Sequence, residues 1–116
     1  MHRIASIVEE IFFGFDQKNL YFRLDLFTTA LDDTLSDYIF EVELRTARLY
    51  RLRCSHDGIV FALRSEGEEE FEPSRFEGKV VLKNVVEISW PRKQIEFDED
   101  FDVQLRVRVF KDDQLL

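Results

Sequence analysis

Hydrophobic and polar residues alternate along much of this chain, and the clearest stretch near its start is residues 11–26, IFFGFDQKNLYFRLDL. Within it Leu20, Phe22, Leu24 and Leu26 fall on one side of an extended chain, and Tyr21, Arg23 and Asp25 on the other. Strand side chains have period two, so this pattern predicts a strand with one buried and one wetter face. A preceding strand ends at Phe15, and Asp16, Gln17, Lys18 and Asn19 form the turn between the two. Gly14 lies inside that first strand, where glycine predicts a bulge or a close backbone approach. Residues 1–10 begin as a helical turn, with residues 7–15 better matched to a lead-in to the first strand.

The alternation recurs in residues 37–45 (DYIFEVELR), with Tyr38, Phe40, Val42 and Leu44 inward and Glu41, Glu43 and Arg45 outward. It continues in residues 47–54 (ARLYRLRC), with Tyr50, Leu52 and Cys54 on one face and Arg51 and Arg53 on the other. An acidic outer face (Glu41, Glu43) beside a basic one (Arg48, Arg51, Arg53) suits antiparallel neighbours, each opposite-charge pair adding a few tenths of a kcal/mol. His56-Asp57-Gly58 is a hairpin turn, because Asp-Gly is a strong local turn signal, and residues 59–63 return from it. The longest clean alternation is residues 101–110, FDVQLRVRVF, with Phe101, Val103, Leu105, Val107 and Val109 inward and Asp102, Gln104, Arg106 and Arg108 outward. Residues 79–82 and 85–90 are short apolar strands, or one strand with a bulge. Residues 28–36 and 98–100 predict loops, and the acidic run 66–72 (EGEEEFE, broken by Pro73) an exposed loop or edge. Residues 91–94 start a loop or a single helical turn, and residues 114–116 begin a last short strand.

About eight strands, short turns and no convincing amphipathic helix predict an all-β fold. An antiparallel β-sandwich, immunoglobulin-like or jelly-roll-like, is favoured over a closed barrel at this length. The 116 residues fit a single domain, large enough to bury a core without a disulfide or metal, and twelve Phe predict an aromatic-rich one. There is no internal repeat. The chain stops on Leu115-Leu116 without a polar tail, as expected of a piece cut from a longer protein.

Charge and chemistry narrow the function classes. A net charge of −8 argues against nucleic acid and anionic membrane surfaces as partners, since both need a basic face to offset phosphate, and is compatible with neutral ligands such as sugars. Cys54 is the only cysteine, which excludes an intrachain disulfide and fits a reducing, cytoplasmic compartment. His56 is two residues away, but the segment Ser55 to Gly58 predicts a turn rather than a Cys–His nucleophile pair. His2 and His56 lack companions at zinc spacing, and Asp98-Glu99-Asp100 lacks the oxygen count and spacing of a calcium loop, so no metal is expected. Phosphate loops, nucleophile elbows and dinucleotide fingerprints are absent, and the acids Asp32 and Asp33 look like solvated loop residues. No catalytic residue and no cofactor are expected.

The aromatics remain. Sugars stack on exposed rings helped by nearby hydrogen-bonding groups, and Tyr21, Phe27, Tyr50 and Trp90 are the aromatics to weigh for this. Tyr21, Tyr50 and Trp90 are kept as carbohydrate-contact candidates. Trp90 shares its strand face with Val86 and Ile88, which favours the core, and the wetter face bearing Tyr21 favours packing against another domain.

Three pieces of the chain together resemble the C-terminal β-sandwich region of family-57 glycoside hydrolases, the α-amylase/α-mannosidase-like group. They are Met1-His2-Arg3, the hairpin of residues 11–26, and VVEISWPRKQI (residues 85–95) followed by a long last strand. Phe13-Gly14-Phe15-Asp16 and Asn19-Leu20-Tyr21 match that family's hairpin, and Val86-Glu87-Ile88 with Pro91 match its later pattern. The resemblance implies one accessory domain, residues 1–116, cut from a longer glycoside hydrolase whose catalytic carboxylates lie elsewhere. It implies a structural role for Gly14, Asp16 and Asn19, the parent's catalytic domain as partner, and an α-glucan setting. An isolated copy is expected to cover its apolar face by forming a homodimer. The alternative is a free-standing module that holds a protein partner through an edge strand or its acidic loop.

Overall fold

Two antiparallel sheets carry the alternating pattern. The computed structural model describes residues 8–26, 38–65, 67–83, 85–95, 103–111 and 114–115. Its strands are β1 (Val8–Phe15), β2 (Asn19–Leu26), β3 (Tyr38–Arg45), β4 (Arg48–Ser55), β5 (Gly58–Ser65), β6 (Glu72–Ser74), β7 (Lys79–Leu82), β8 (Val85–Pro91), β9 (Gln104–Lys111) and β10 (Gln114–Leu115). The first sheet has the order β1-β2-β8-β7, the second β10-β9-β3-β4-β5-β6. Every pairing between these strands is antiparallel. The fold is an all-β sandwich, and among the described residues the only helical turn is a 3₁₀ turn at Arg92–Gln94. None is long and apolar enough to cross a membrane.

The core is the set of alternating positions. Leu20, Phe22, Leu24 and Leu26 of β2 and Val86, Ile88 and Trp90 of β8 face Tyr38, Phe40, Val42 and Leu44 of β3 and Tyr50, Leu52 and Cys54 of β4. Trp90 is at its centre, with Phe61, Phe76, Tyr50 and Phe22 rings 5.5 to 6.3 Å away. Each such side chain taken from water contributes about 1.5–3 kcal/mol, so this layer outweighs any single pair of charges on the outer faces.

Several details differ from the sequence expectation. Gly14 makes neither a bulge nor a close approach: it pairs in regular register with Tyr21, nothing lies within 4 Å of the side-chain position it leaves empty, and the register shift falls between Val8 and Glu10. The close approach belongs to Gly78, where a Cβ would collide with the Ser89 carbonyl oxygen and lie 2.6 Å from the Phe76 ring. Of the loop or edge expected for the acidic run, Pro73 takes the edge. It sits inside the short edge strand β6 opposite Ala62, an edge being where a residue without N–H is tolerated. β7 and β8 are two hairpin-paired strands. Arg48 falls on the Tyr50 side of β4, opposite Ser65, so the acidic–basic ladder is made by Glu41 opposite Arg53 and Glu43 opposite Arg51. The loops expected at residues 28–36 and 98–100, Phe27, and the helical turn expected at the start lie outside the described residues.

Candidate functional site

The outer face of the four-stranded sheet is built by two cross-strand rows. Phe12, Arg23, Glu87 and Val81 form one, and Gly14, Tyr21, Ser89 and Lys79 the next. Because Gly14 and Ser89 are small, the second row is hollow on both sides of the Tyr21 ring. The result is a groove of about 580 Å³ running from Phe12 to Val81. Tyr21 is 41 % exposed at its floor.

The β1–β2 turn fixes that ring. Asp16 Oδ1 accepts from the backbone N–H groups of Lys18 and Asn19 at 2.8 and 2.7 Å. Its other oxygen, Oδ2, accepts from the Tyr21 hydroxyl at 2.8 Å, and Asn19 Nδ2 donates to that same hydroxyl at 3.3 Å. These bonds to the charged form, the Asn19 N–H first and then Tyr21 and Lys18, hold the Asp16 carboxyl below the usual carboxylate range. Arg23 is pinned by Asp25 at 2.8 Å and stacks 4.3 Å over Phe12. Lys79, Glu87 and Ser89 keep their polar ends free of partners among the described residues. An apolar floor with a fixed phenol and free polar ends suits a ring-shaped or extended apolar ligand bearing hydroxyls.

β1 itself carries aromatic residues on both faces. Ile11, Phe13 and Phe15 stand opposite the buried Leu24, Phe22 and Leu20, yet they remain 47, 47 and 69 % exposed. They lie on the edge strand of their sheet, whose outer backbone groups pair with no strand among the described residues. Arg92, which donates to the Asp16 carbonyl at 2.9 Å, lies 5.9 Å from the Phe15 ring. The adjacent Phe12-Phe13 pair was the sequence signal for this: two consecutive aromatics put a ring on each face, which a half-buried strand does not need.

Of the three carbohydrate-contact candidates, only Tyr21 reaches the surface. Tyr50 and Trp90 are fully buried in the core and present no face to a ligand. The three are not brought together, because Tyr21 projects outward from the sheet whose inner face holds Trp90. Burial pushes the Cys54 thiol up to about 12, and His56 stands exposed in the turn beyond, so the two form no nucleophile pair. Among the described residues no group of His, Cys, Asp and Glu is placed to hold a metal. Comparison with protein-family models, curated proteins and solved structures finds no match to this chain.

Proposed function

We propose that this chain is a non-catalytic accessory β-sandwich of an α-glucan-active, family-57-like glycoside hydrolase, and that it docks on the catalytic domain of that enzyme through β1 and the neighbouring outer face. The observation that carries the docking is the apolar exposure of β1. Ile11, Phe12, Phe13 and Phe15 are 43 to 69 % exposed along one edge strand, a run of large apolar side chains of the kind that marks interaction sites on soluble domains. The enzyme setting rests on the hairpin and residues 85–95, and the reduced thiol fits a cytoplasmic enzyme.

A second reading has its own observation. The groove over Tyr21, with the free ends of Lys79, Glu87 and Ser89, has the ring-and-hydroxyl chemistry that assists α-glucan binding.

Two measurements on the 116-residue chain separate them. Sedimentation equilibrium is expected to give a concentration-dependent dimer that Phe13→Ser/Phe15→Ser makes monomeric, as an orphaned docking face requires. Affinity electrophoresis in gels holding glycogen or soluble starch tests the groove: retardation lost in Tyr21→Ala favours carbohydrate binding. A monomer with unchanged mobility in every gel overturns both and leaves the free-standing interaction module.

A further inference from the structure

The outer face of the six-stranded sheet carries charge opposite to that of the whole protein. Its cross-strand rows are Gln104–Arg45–Leu49–Arg64, Arg106–Glu43–Arg51–Ala62 and Arg108–Glu41–Arg53–Val60. Six arginines therefore share this face with two glutamates, in a chain of net charge −8. The two glutamates are consumed at one end of it. Arg53 Nε lies 2.7 Å and Arg108 Nε 3.1 Å from Glu41, and Arg108 Nη2 lies 2.6 Å from Glu43. Arg45, Arg51, Arg64 and Arg106 make no ion pair with a carboxylate among the described residues. Arg45 and Arg106 sit diagonally on neighbouring strands and are both exposed. Like charges at that spacing repel, so an arrangement that keeps them unpaired is most stable with an anion between them.

The surface around them is shaped. A hollow of about 490 Å³ is lined by Glu43, Arg45, Leu49, Gln104 and Arg106, and a second of about 240 Å³ by Arg45, Arg48, Leu49, Arg64 and Glu68, whose carboxylate accepts from the Ser65 N–H at 3.2 Å. They share Arg45 and Leu49, so a track crosses β9, β3, β4 and β5. Four strands span about 14 Å, the length of four or five extended residues.

The chain itself shows what this face accepts. Its acidic run ends in Phe71-Glu72, and the Phe71 ring lies 4.0 Å from the Arg51 guanidinium and 5.0 Å from that of Arg64. An aromatic residue flanked by glutamates is thus already held by cation–π contact at the β5 end of the track.

We propose that the Arg45–Arg106 track binds a short acidic polypeptide segment of a partner, carboxylates on the free guanidiniums and an aromatic residue against Leu49. The net negative charge of the chain selects for a short segment, since a long polyanion is repelled by the remaining surface. This face is on the sheet opposite the Tyr21 groove, so the proposal does not rest on the glycoside hydrolase reading.

The test is an NMR titration of the ¹⁵N-labelled chain with the peptide acetyl-EEFEE-amide, following the arginine side-chain signals. Arg45 and Arg106 are expected to shift with a Kd below about 1 mM, weakening on addition of salt. The neutral peptide acetyl-QQFQQ-amide is expected to leave them unmoved. Arg45→Glu/Arg106→Glu is expected to weaken binding at least about tenfold while leaving the backbone spectrum folded, both side chains being exposed. Arg45→Gln/Arg106→Gln supplies the same comparison if the reversal perturbs folding. No shift at millimolar peptide, or binding indifferent to both double variants, overturns the proposal. Equal shifts with inorganic phosphate overturn it in favour of a small-anion site.

Discussion

Cys54 shows how burial alone decides a residue's chemistry. Its thiol lies in the hydrophobic core with no exposed surface, and desolvation of the thiolate moves its pKa from 9.0 to about 12. Because the folded value is raised, the stability it reports is present in full below the ordinary thiol value and is lost as pH rises toward the folded one. The contribution from this group falls by about 1.4 kcal/mol per pH unit between those limits. Urea unfolding from pH 8 to 11 is expected to show a shallower alkaline decline for Cys54→Ala than for the parent, although the variant is less stable at pH 7 from its smaller core volume. Equal slopes would mean the thiol ionises in the folded state. Trp90 is the opposite case: its large ring fills the core, but its indole N–H has no partner among the described residues, so the same burial that anchors the sandwich leaves a polar group unsatisfied.

At the scale of the element, the β1–β2 hairpin is held from its turn. Asp16 accepts three hydrogen bonds, two from backbone N–H groups and one from Tyr21, all favouring its ionised form. A lowered carboxyl pKa means that this stabilisation is present above the ordinary carboxylate value and lost as pH falls through the lowered one. Protection of the Lys18 and Asn19 amides from hydrogen exchange, taken relative to the intrinsic rate at each pH, is expected to fall in the parent chain as pH drops through the lowered carboxyl value. Asp16→Ala is expected to show low protection throughout and no such acid step. If the parent shows no step, the turn does not depend on the carboxylate. The ladder on β3 follows a different logic. Glu41 belongs to the outer face by its parity, yet it is only 1 % exposed, because the arginine stems of β4 and β9 lie over it.

At the scale of the molecule, the sandwich depends on where the chain crosses from one sheet to the other. The connection from β6 to β7 passes Phe76 under Trp90 and then brings Gly78 against the backbone of β8. The Ser89 carbonyl and Pro91 ring are backbone-anchored and cannot swing aside for a side chain there. Gly78→Ala is therefore expected to cost about 3 kcal/mol or to prevent folding, read as the urea midpoint, whereas Gly14→Ala, into open space, is expected to leave it within about 0.5 kcal/mol. Equal effects at the two glycines would show that β7 adjusts freely.

The period-two pattern was enough to determine β2, β3 and β4 and their inward faces, but not β6 or the exposure of Val103, read as inward and 39 % exposed just before β9. Leu20 to Leu26, Tyr38 to Leu44 and Tyr50 to Cys54 alternate because one face of each had to leave water, and local geometry fixes that period without reference to any partner. The Asp16 turn and the Asp57-Gly58 hairpin were legible for the same reason, their hydrogen bonds and positive φ being local. Only the tertiary structure decided which aromatics of inward parity still meet solvent. Tyr50 and Trp90, set inward by the period, are buried, whereas Phe13 and Phe15, opposite the buried Phe22 and Leu20, stay 47 and 69 % exposed on the edge strand β1, a difference made by contacts between residues far apart in the chain. The arginine track is of the same kind: Arg45, Arg64 and Arg106 are unremarkable in sequence and become one charged surface only because β3, β5 and β9 enter a single sheet in the right register.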